Sequence, residues 1–489
     1  MHKIPTLLAT LIISFLPSFA GSVNILDHGA NGDGEFLNTK AIQSAIDQCH
    51  EQGGGTVYVP AGRFRTGTII LKSHVSLYLE AGAIILGSTE LKDYPEIYPE
   101  FRSYTDVNYV DKSLIYAEKA KNISICGRGT IDGQGEETVF DLPGRENYKQ
   151  RPYIIRMVEC RDVHISGISL VNSAMWVQHY LACEGLVIEG ISVNSLVNHN
   201  NDGIDIDCCR RVRISNCDIN SGDDAIVLKA TAPKDCEQIS ISNCILRSRC
   251  NAIKLGTESV GGFKDILVSN CVIYDTRLAA IALEMVDGGT ADRIQINNIS
   301  ANAAGGAIFI RLGNRGRHHL AQGSGGGKKY YFQENEKLDK VGMGMMKNIT
   351  ISNFICTGAD TVGCSITGIP GFEVQNITLR DIHISFTGEG AGKPVINEVP
   401  ENISDYPEYK MFGKLPAYGI YARHVRNISL FNVRLDYETE DYRPALVFDD
   451  VKGLVLSDLN LEKPSGTRPV VDFRNTTDIK SDIHYKLKK

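Results

Sequence analysis

Aromatic residues are few in this chain of 489 residues, and basic residues are outnumbered by acidic ones. It has one tryptophan, Trp176, and aromatic residues make up 8% of the sequence, which leaves little for a surface that binds sugars by ring stacking alone. Lysine and arginine number 51 against 58 aspartates and glutamates. The resulting net charge of -7 argues against a nucleic-acid partner, because phosphate backbones bind basic patches.

Long apolar runs are absent after the first twenty residues, so the sequence predicts no membrane span. The start of the chain combines Lys3, an apolar run from Leu7 to Leu16 and small residues at Ser18 and Ala20. This order is typical of a cleavable signal peptide, although a buried N-terminal strand is the alternative. We therefore expect residues 1–20 to be removed, residues 21–489 to form one domain, and the protein to be secreted or periplasmic.

The thirteen cysteines do not follow a zinc-ligand spacing, and their number is odd. Cys217, Cys244 and Cys271 each follow the same Ser-Asn pair. Equivalent positions of a repeat stack on one another, and cysteine is a common small buried residue. A ladder of internal thiols is therefore favoured over a disulfide framework, with Cys208-Cys209 as a possible exception.

Helical periodicity is nearly absent, whereas one short phrase of alternating apolar and polar residues returns about every 23 to 28 residues, with two wider gaps. The phrase begins at Val163, Val212, Ile239, Ile266, Ile294, Ile349, Ile377, Ile428 and Leu454. Alternation is typical of strands buried on one face, and a period of this length indicates a solenoid. The sequence predicts an all-β, single-stranded, right-handed parallel β-helix.

One helix is predicted, from about Thr39 to Gln52, with Asn38 as its N-cap and Gly53 at its end. Its apolar residues form one stripe, so we expect it to cap the N-terminal end of the solenoid. The two wide gaps, about Gly313 to Met346 and Gly388 to Ala417, are interpreted as loops that wall a cleft.

A second repeated phrase lies in register with the first and starts at Ile204, Ile226, Ile253, Ile281 and Ile308. Side chains alternate along a strand, so the residues between these apolar positions face outward in two columns. One column is Asp205, Val227, Lys254, Ala282 and Phe309, and the other is Asp207, Lys229, Gly256, Glu284 and Arg311. A solvated, salt-bridged face is one explanation of these charges, and a binding face is the other.

Three aspartates, Asp202, Asp223 and Asp224, lie just upstream of these strands on neighbouring repeats. Crowded carboxyl groups raise one another's proton affinity, so one can hold a proton while another is ionised. Glycoside hydrolysis needs such an acid and base. A calcium site and turn-capping aspartates are the alternatives.

At these residues the chain resembles glycoside hydrolase family 28, the polygalacturonase family. The segment from Asn200 to Asp205 is similar to the family's Asn-Thr-Asp motif, and Gly222-Asp223-Asp224 matches its Gly-Asp-Asp. The resemblance implies a pectin-lyase-like solenoid and an inverting hydrolase without a cofactor or metal. It also implies that Asp223 is the general acid, while Asp202 and Asp224 hold and activate water.

Two basic motifs of that family are missing. Asn251 stands where the family has the histidine of Gly-His-Gly, and Glu284 ends the segment that replaces Arg-Ile-Lys. Lys254, Lys229 or Arg311 are the candidate cations for a substrate carboxylate, and Asp205, Asn251 and Glu284 complete the predicted substrate-binding set. A neutral rhamnose beside the acid is the alternative.

We expect a monomer that hydrolyses α-glycosidic bonds of galacturonan or rhamnogalacturonan, from a chain end if the loop from Gly313 blocks the cleft. The alternatives are a calcium-dependent pectate or rhamnogalacturonan lyase and a non-catalytic polysaccharide-binding β-helix.

Overall fold

The computed structural model describes residues 21–101, 103, 111–141, 150–315, 342–389 and 398–482. The predicted signal peptide, residues 1–20, and residues 316–341 of the first long loop lie outside this part. The described residues contain one α-helix, α1, at Thr39–Glu51, and three short 3-10 helices at Ile25–His28, Leu91–Asp93 and Thr138–Phe140. None of their helices is long and apolar enough to cross a membrane.

The strands of the described residues are numbered β1 to β32 in chain order. They are Ser22–Asn24, Asp33–Leu37, Gly55–Val59, Gly62–Thr66, Ile69–Ile70, Val75–Leu79, Ala83–Gly87, Ser113–Glu118, Lys121–Gly127, Thr130–Asp132, Tyr153–Val158, Arg161–Ser166, Ser169–Val171, Gln178–Leu181, Glu184–Glu189, Ser192–Ser195, Ile204–Asp207, Arg210–Ser215, Asp218–Ser221, Ile226–Ala230, Cys236–Ser242, Ile245–Ser248, Ile253–Ser259, Gly262–Met285, Thr290–Leu312, Met345–Ala359, Cys364–Thr367, Val374–Phe386, Ile420–Tyr437, Leu446–Leu461, Val471–Arg474 and Thr477–Ser481.

In the coils between Tyr153 and Ser259 each coil contributes three strands, and from Gly262 onward these strands merge into longer ones that pair in the same parallel register. Thus β14 pairs with β17 and β17 with β20, while β15, β18 and β21 form a second ladder and β16, β19 and β22 a third. The repeat read from the sequence is therefore a stack of coils, and the predicted parallel β-helix is present.

Asparagines at the turns explain part of this regularity. Asn216, Asn243 and Asn270 all have left-handed backbones, with φ of 56 to 57°. Asparagine tolerates this conformation better than most residues because its short amide bonds locally. The amide of Asn243 also donates to Asn216 at 3.4 Å, which links the turns of successive coils.

The inward residues form one continuous core of isoleucine, valine, leucine and cysteine. Cys217, Cys244 and Cys271 are buried in it at matching positions, and all thirteen cysteines are free thiols. The predicted thiol ladder is thus confirmed, and Cys208 and Cys209 are no exception.

Helix α1 lies at the predicted position, and Asn38 is its N-cap residue. The side chain of Asn38 makes no capping hydrogen bond, because it bonds the backbone of Asn31 and Phe36 instead. The predicted stop at Gly53 is correct: its backbone is left-handed, with φ of 95°, and its N–H donates to His50. Five apolar side chains of α1 are buried, and the helix contacts β1, β3, β5 and β6.

The first outward column is paired as predicted, since Asp205, Val227, Lys254, Ala282 and Phe309 are successive partners. The second column is interrupted after the pair Asp207 and Lys229. Leu228 pairs with Leu255 but Ala230 pairs with Ser259, so three residues, from Gly256 to Glu258, stand opposite Lys229 alone. This bulge places an unpredicted carboxylate, that of Glu258, beside the site.

Candidate active site

The backbone brings the three predicted catalytic aspartates to one place. Gly203 N–H donates to the carbonyl of Asp224 at 2.8 Å, and Asp223 N–H donates to that of Asn201 at 3.3 Å. Asp202 therefore lies on the coil directly beside the one that carries Asp223 and Asp224. The segments lead into β17 and β20, whose pairing fixes their separation.

Asp224 is held as a carboxylate. Its Oδ1 accepts from the backbone N–H and the side-chain amide of Asn251, at 3.0 and 2.8 Å, and its Oδ2 lies 3.0 Å from Nζ of Lys254. Burial opposes ionisation, but Lys254, Lys229 and Asn251 outweigh it and lower the pKa of Asp224. Asp224 is thus ionised and only 3% exposed.

Asp223 has the opposite tendency. Burial and the neighbouring charge of Asp224 raise the pKa of Asp223, and its Oδ1 accepts the N–H of Asp224 at 3.0 Å. The Cys250 thiol and both carboxylates lie within 4.8 Å of one another. Two adjacent residues therefore have pKa values displaced in opposite directions, as an acid and base pair requires.

Asp202 and Asp205 share one cation, Lys229. Nζ of Lys229 lies 3.7 Å from Oδ2 of Asp202 and 3.5 Å from Oδ1 of Asp205. Both acids are buried, and burial together with neighbouring carboxylates raises the pKa of each well above its usual value. Oδ1 of Asp202 makes no hydrogen bond with the described residues.

Glu284 is buried beside Lys254, with Oε2 3.7 Å from its Nζ and 2.9 Å from the Thr257 hydroxyl. Burial raises the pKa of Glu284 to about 7 despite that cation. The carboxyl group is therefore largely protonated in mildly acidic solution. In its protonated form Glu284 does not repel the carboxylate of a substrate.

The structure assigns Arg311 a different role from the predicted one. Its guanidinium donates to oxygens of Thr367, Gly368, Glu401 and Asn402, and the residue is 1% exposed. The candidate substrate cation instead anchors the second long loop to the solenoid. Arg311 was misassigned because those acceptors come from segments that the repeat does not predict.

Three residues missed by the sequence reasoning also lie here: Glu258, Arg315 and Tyr406. Arg315 pairs with Asp287 and lies 3.8 Å from Glu258, which in turn lies 3.8 Å from Lys229. The Tyr406 ring lies below the Lys254 ammonium and the Arg315 guanidinium, at 5.8 and 5.7 Å from its centroid. The long loops meet at this point, where Asn314 N–H donates to Ile403 at 2.9 Å.

Trp176 is not a platform for sugars, because it is 2% exposed. Its ring centroid lies 4.7 Å from Nζ of Lys229 and 5.2 Å from that of His179. Trp176 therefore packs against Lys229, and its ring face contacts the ammonium group.

Asp223, Asp224 and Cys250 form the described group that is close enough to hold a metal ion. Calcium prefers six to eight oxygen ligands, and a thiol is not among them. Lysine ammonium groups also already neutralise Asp224 and Asp202. These contacts do not favour the calcium alternative.

The sequence and fold resemble those of known proteins. Glycosyl hydrolases family 28 matches residues 49–400. A probable polygalacturonase of Vitis vinifera is 36% identical over 234 residues, which are 46% of this chain and 47% of that protein. An exo-poly-alpha-D-galacturonosidase of Dickeya chrysanthemi is 28% identical over 258 residues, which are 44% of this chain and 42% of that protein. The chain spans about half the length of the curated relatives it matches.

The crystal structure of a hyperthermoactive exopolygalacturonase from Thermotoga maritima has the same fold. It aligns with a TM-score of 0.63 and 23% identity over 76% of this chain and 88% of that one. The family match covers more than half of the 489 residues. The chain therefore belongs to glycosyl hydrolases family 28.

Proposed function

We propose that this protein hydrolyses α-glycosidic bonds of a pectic polysaccharide with inversion at the anomeric carbon. The observation that carries the proposal is the opposite displacement of the pKa values of Asp223 and Asp224 in adjacent positions. The family membership and the names of the curated relatives support the substrate class.

In the proposed reaction Asp223 gives its proton to the glycosidic oxygen, and the bond from that oxygen to the anomeric carbon breaks. A water molecule attacks the same carbon from the opposite face and loses a proton to Asp224. The unpartnered Oδ1 of Asp202 accepts the other hydrogen of this water and orients it. Inverting glycosidases commonly hold their two carboxyl groups about 6.5 to 9.5 Å apart. An oxygen of Asp223 lies within 4.8 Å of one of Asp224, so the anomeric configuration of the product is the decisive measurement.

A lyase would need an unprotonated base to abstract a proton from the sugar ring. Lys254, 3.0 Å from Asp224, is the candidate base for such a reaction, but the charges of Asp224 and Glu284 overcome its burial and raise its pKa well above the usual value. A protonated lysine cannot act as that base. The raised pKa of Lys254 therefore favours hydrolysis over elimination by a lyase.

Product analysis on galacturonan and rhamnogalacturonan oligosaccharides tests this function. We expect saturated products, a new reducing end of inverted anomeric configuration by NMR, and release from a chain end. Unsaturated products that absorb in the ultraviolet, or products of retained configuration, would disprove the reaction as written. Loss of activity on adding a chelator would identify the lyase.

We also propose that the protein acts outside the cytoplasm as a monomer, after removal of residues 1–20. We further propose that the coils of the solenoid wind in the right-handed sense, which is the expected sense for parallel crossovers. The burial of five apolar side chains of α1 supports its role as the N-terminal cap. N-terminal sequencing of the exported protein tests the cleavage site.

A further inference from the structure

A surface cavity of about 640 Å³ opens beside Asp223, and Lys254 is not among its lining residues. Its lining includes Arg249, Arg277 and His199, together with Asp141 and Asp223. Asp223 is shared with the site described above, so any group that occupies this cavity is next to the proposed acid. The cavity contains three basic side chains and two acidic ones, and burial favours the neutral form of one of these, Asp223.

The two arginines are positioned by backbone oxygens rather than by acids. Nε of Arg277 donates to the carbonyl of Arg249 at 2.7 Å, and Nη1 of Arg249 donates to that of Leu196 at 3.2 Å. Neither guanidinium forms an ion pair with a carboxylate of the described residues. Both arginines are exposed to solvent and held by these bonds, and Arg277 also contacts the Cys250 thiol, so their charges remain available to a ligand in the cavity.

The part of the lining formed by Asn198 and His199 is also preformed. The Asn198 amide donates to the carbonyls of Gly135 and Phe140, at 3.0 and 3.2 Å. Arg151 binds the side chain of Asn198 and the carbonyl of His199. A ligand that enters therefore meets fixed walls, and little conformational entropy is lost.

We propose that Arg249 and Arg277 bind the carboxylate of a uronic acid unit next to the bond that is cleaved. This inference rests on the proposed function and names the substrate class of the same site. The planar, forked guanidinium group matches a carboxylate, and two unpaired arginines in one cavity select an anionic sugar over a neutral one. Arg249 and Arg277 thus provide, next to Asp223, the positive charge that the two missing basic motifs do not supply.

The test compares digalacturonate with its methyl ester, which has the same shape without the charge. Binding of both is measured by calorimetry in an Asp202→Asn background, so that no turnover interferes. The variants are Arg249→Gln, Arg277→Gln and the pair together. Arg247→Gln is the matched control, because it removes the same charge two positions from Arg249. Arg247 pairs with Asp275 at 3.6 Å and does not line the cavity.

We expect the double variant to bind digalacturonate about tenfold or more weakly, since a hydrogen bond between charged groups contributes at least that factor. Affinity for the methyl ester and the behaviour of Arg247→Gln should stay within about twofold of the background. Equal losses for both ligands, no loss for either, or no binding of digalacturonate to the background protein would each overturn the proposal.

Failure of the function is distinguishable from failure of this inference. If digalacturonate binds through the arginines but no pectic oligosaccharide is cleaved by the native protein, the carboxylate site stands and the hydrolase does not. If cleavage occurs and the arginine variants bind both ligands normally, the hydrolase stands and the carboxylate site does not.

Discussion

Nζ of Lys254 lies 3.0 Å from Oδ2 of Asp224, on the neighbouring coil. The lysine is buried, so its charge acts on the carboxylate with little screening by water. This pair explains how the pKa of Asp224 is lowered despite burial while that of the adjacent Asp223 is raised. The two residues are chemically identical, so the opposite displacements of their pKa values arise from the groups that lie next to each.

Replacement of Lys254 by methionine should weaken the base. Without the ammonium group the pKa of Asp224 rises, by about 1 to 3 units for a close opposite charge. The acidic limb of the kcat/KM profile then moves to higher pH, and kcat/KM at about pH 5 falls by about tenfold or more. The measurement is a pH profile on pectic oligosaccharides. Lys264→Met, which removes a half-buried surface partner of Asp235, is the control and should leave the profile unchanged.

Replacement of Asp223 by asparagine should remove the proton donor while preserving the fold. We expect kcat to fall by about two to four powers of ten on natural linkages. A substrate with an acidic phenol as leaving group needs no such proton and should be cleaved with a much smaller loss. Asp224→Asn should show no such rescue, because the water still lacks its base. Equal rescue of both variants would contradict the assignment of acid and base.

Glu284 should make the protein less stable as the pH rises. Burial holds its pKa at about 7 in the folded protein, compared with 4.5 for an ordinary glutamate. The folded state therefore binds the proton more tightly, and stability is lost as the pH rises from about 4.5 to about 7. Glu284→Gln removes this loss, so it should be more stable than the native protein above pH 7, by at most about 3 kcal/mol, and similar at about pH 4.

Denaturant unfolding at the two pH values measures the effect of Glu284. Glu136→Gln, at an exposed position, provides the comparison. The prediction is wrong if Glu284→Gln gains no stability at the higher pH relative to Glu136→Gln.

The thirteen cysteines should titrate as free thiols. In the folded protein a thiol reagent should react slowly, since eleven of them are buried and only Cys126 and Cys250 are partly accessible. After denaturation all thirteen should react, and a reducing agent should leave the unfolding temperature unchanged. Intact mass without reduction provides a second measurement, because each disulfide would lower it by about two hydrogen masses.

The sequence predicted those parts of the structure that the repeat determines. Alternation placed Ile204 and Ile226 inside and Asp205 and Lys254 in one column, because pairing between coils leaves only one register. It failed where the chain leaves the repeat. The bulge at Gly256, where a Cβ atom would lie 2.4 Å from the Glu284 carbonyl, shifted the second column and added Glu258.

The long loops were located but their contacts were not. Arg311 was expected to face the substrate, yet it binds Glu401 and Asn402, and Tyr406 beside Lys254 was not foreseen. No periodicity relates such segments to the coil on which they fold back. The side chain of Asn38 makes no capping bond for a similar reason, since its partner Asn31 precedes the helix by several residues.

The proposed chemistry occupies few coils of the stack. Asp202 comes from one coil, Asp223 and Asp224 from the next, Asn251 and Lys254 from a third and Glu284 from a fourth, and each coil pairs only with its neighbours. Insertion or loss of a whole turn far from these four would lengthen or shorten the rod without altering the reacting groups. The length of the solenoid and the identity of the proposed reacting groups can therefore change independently in evolution.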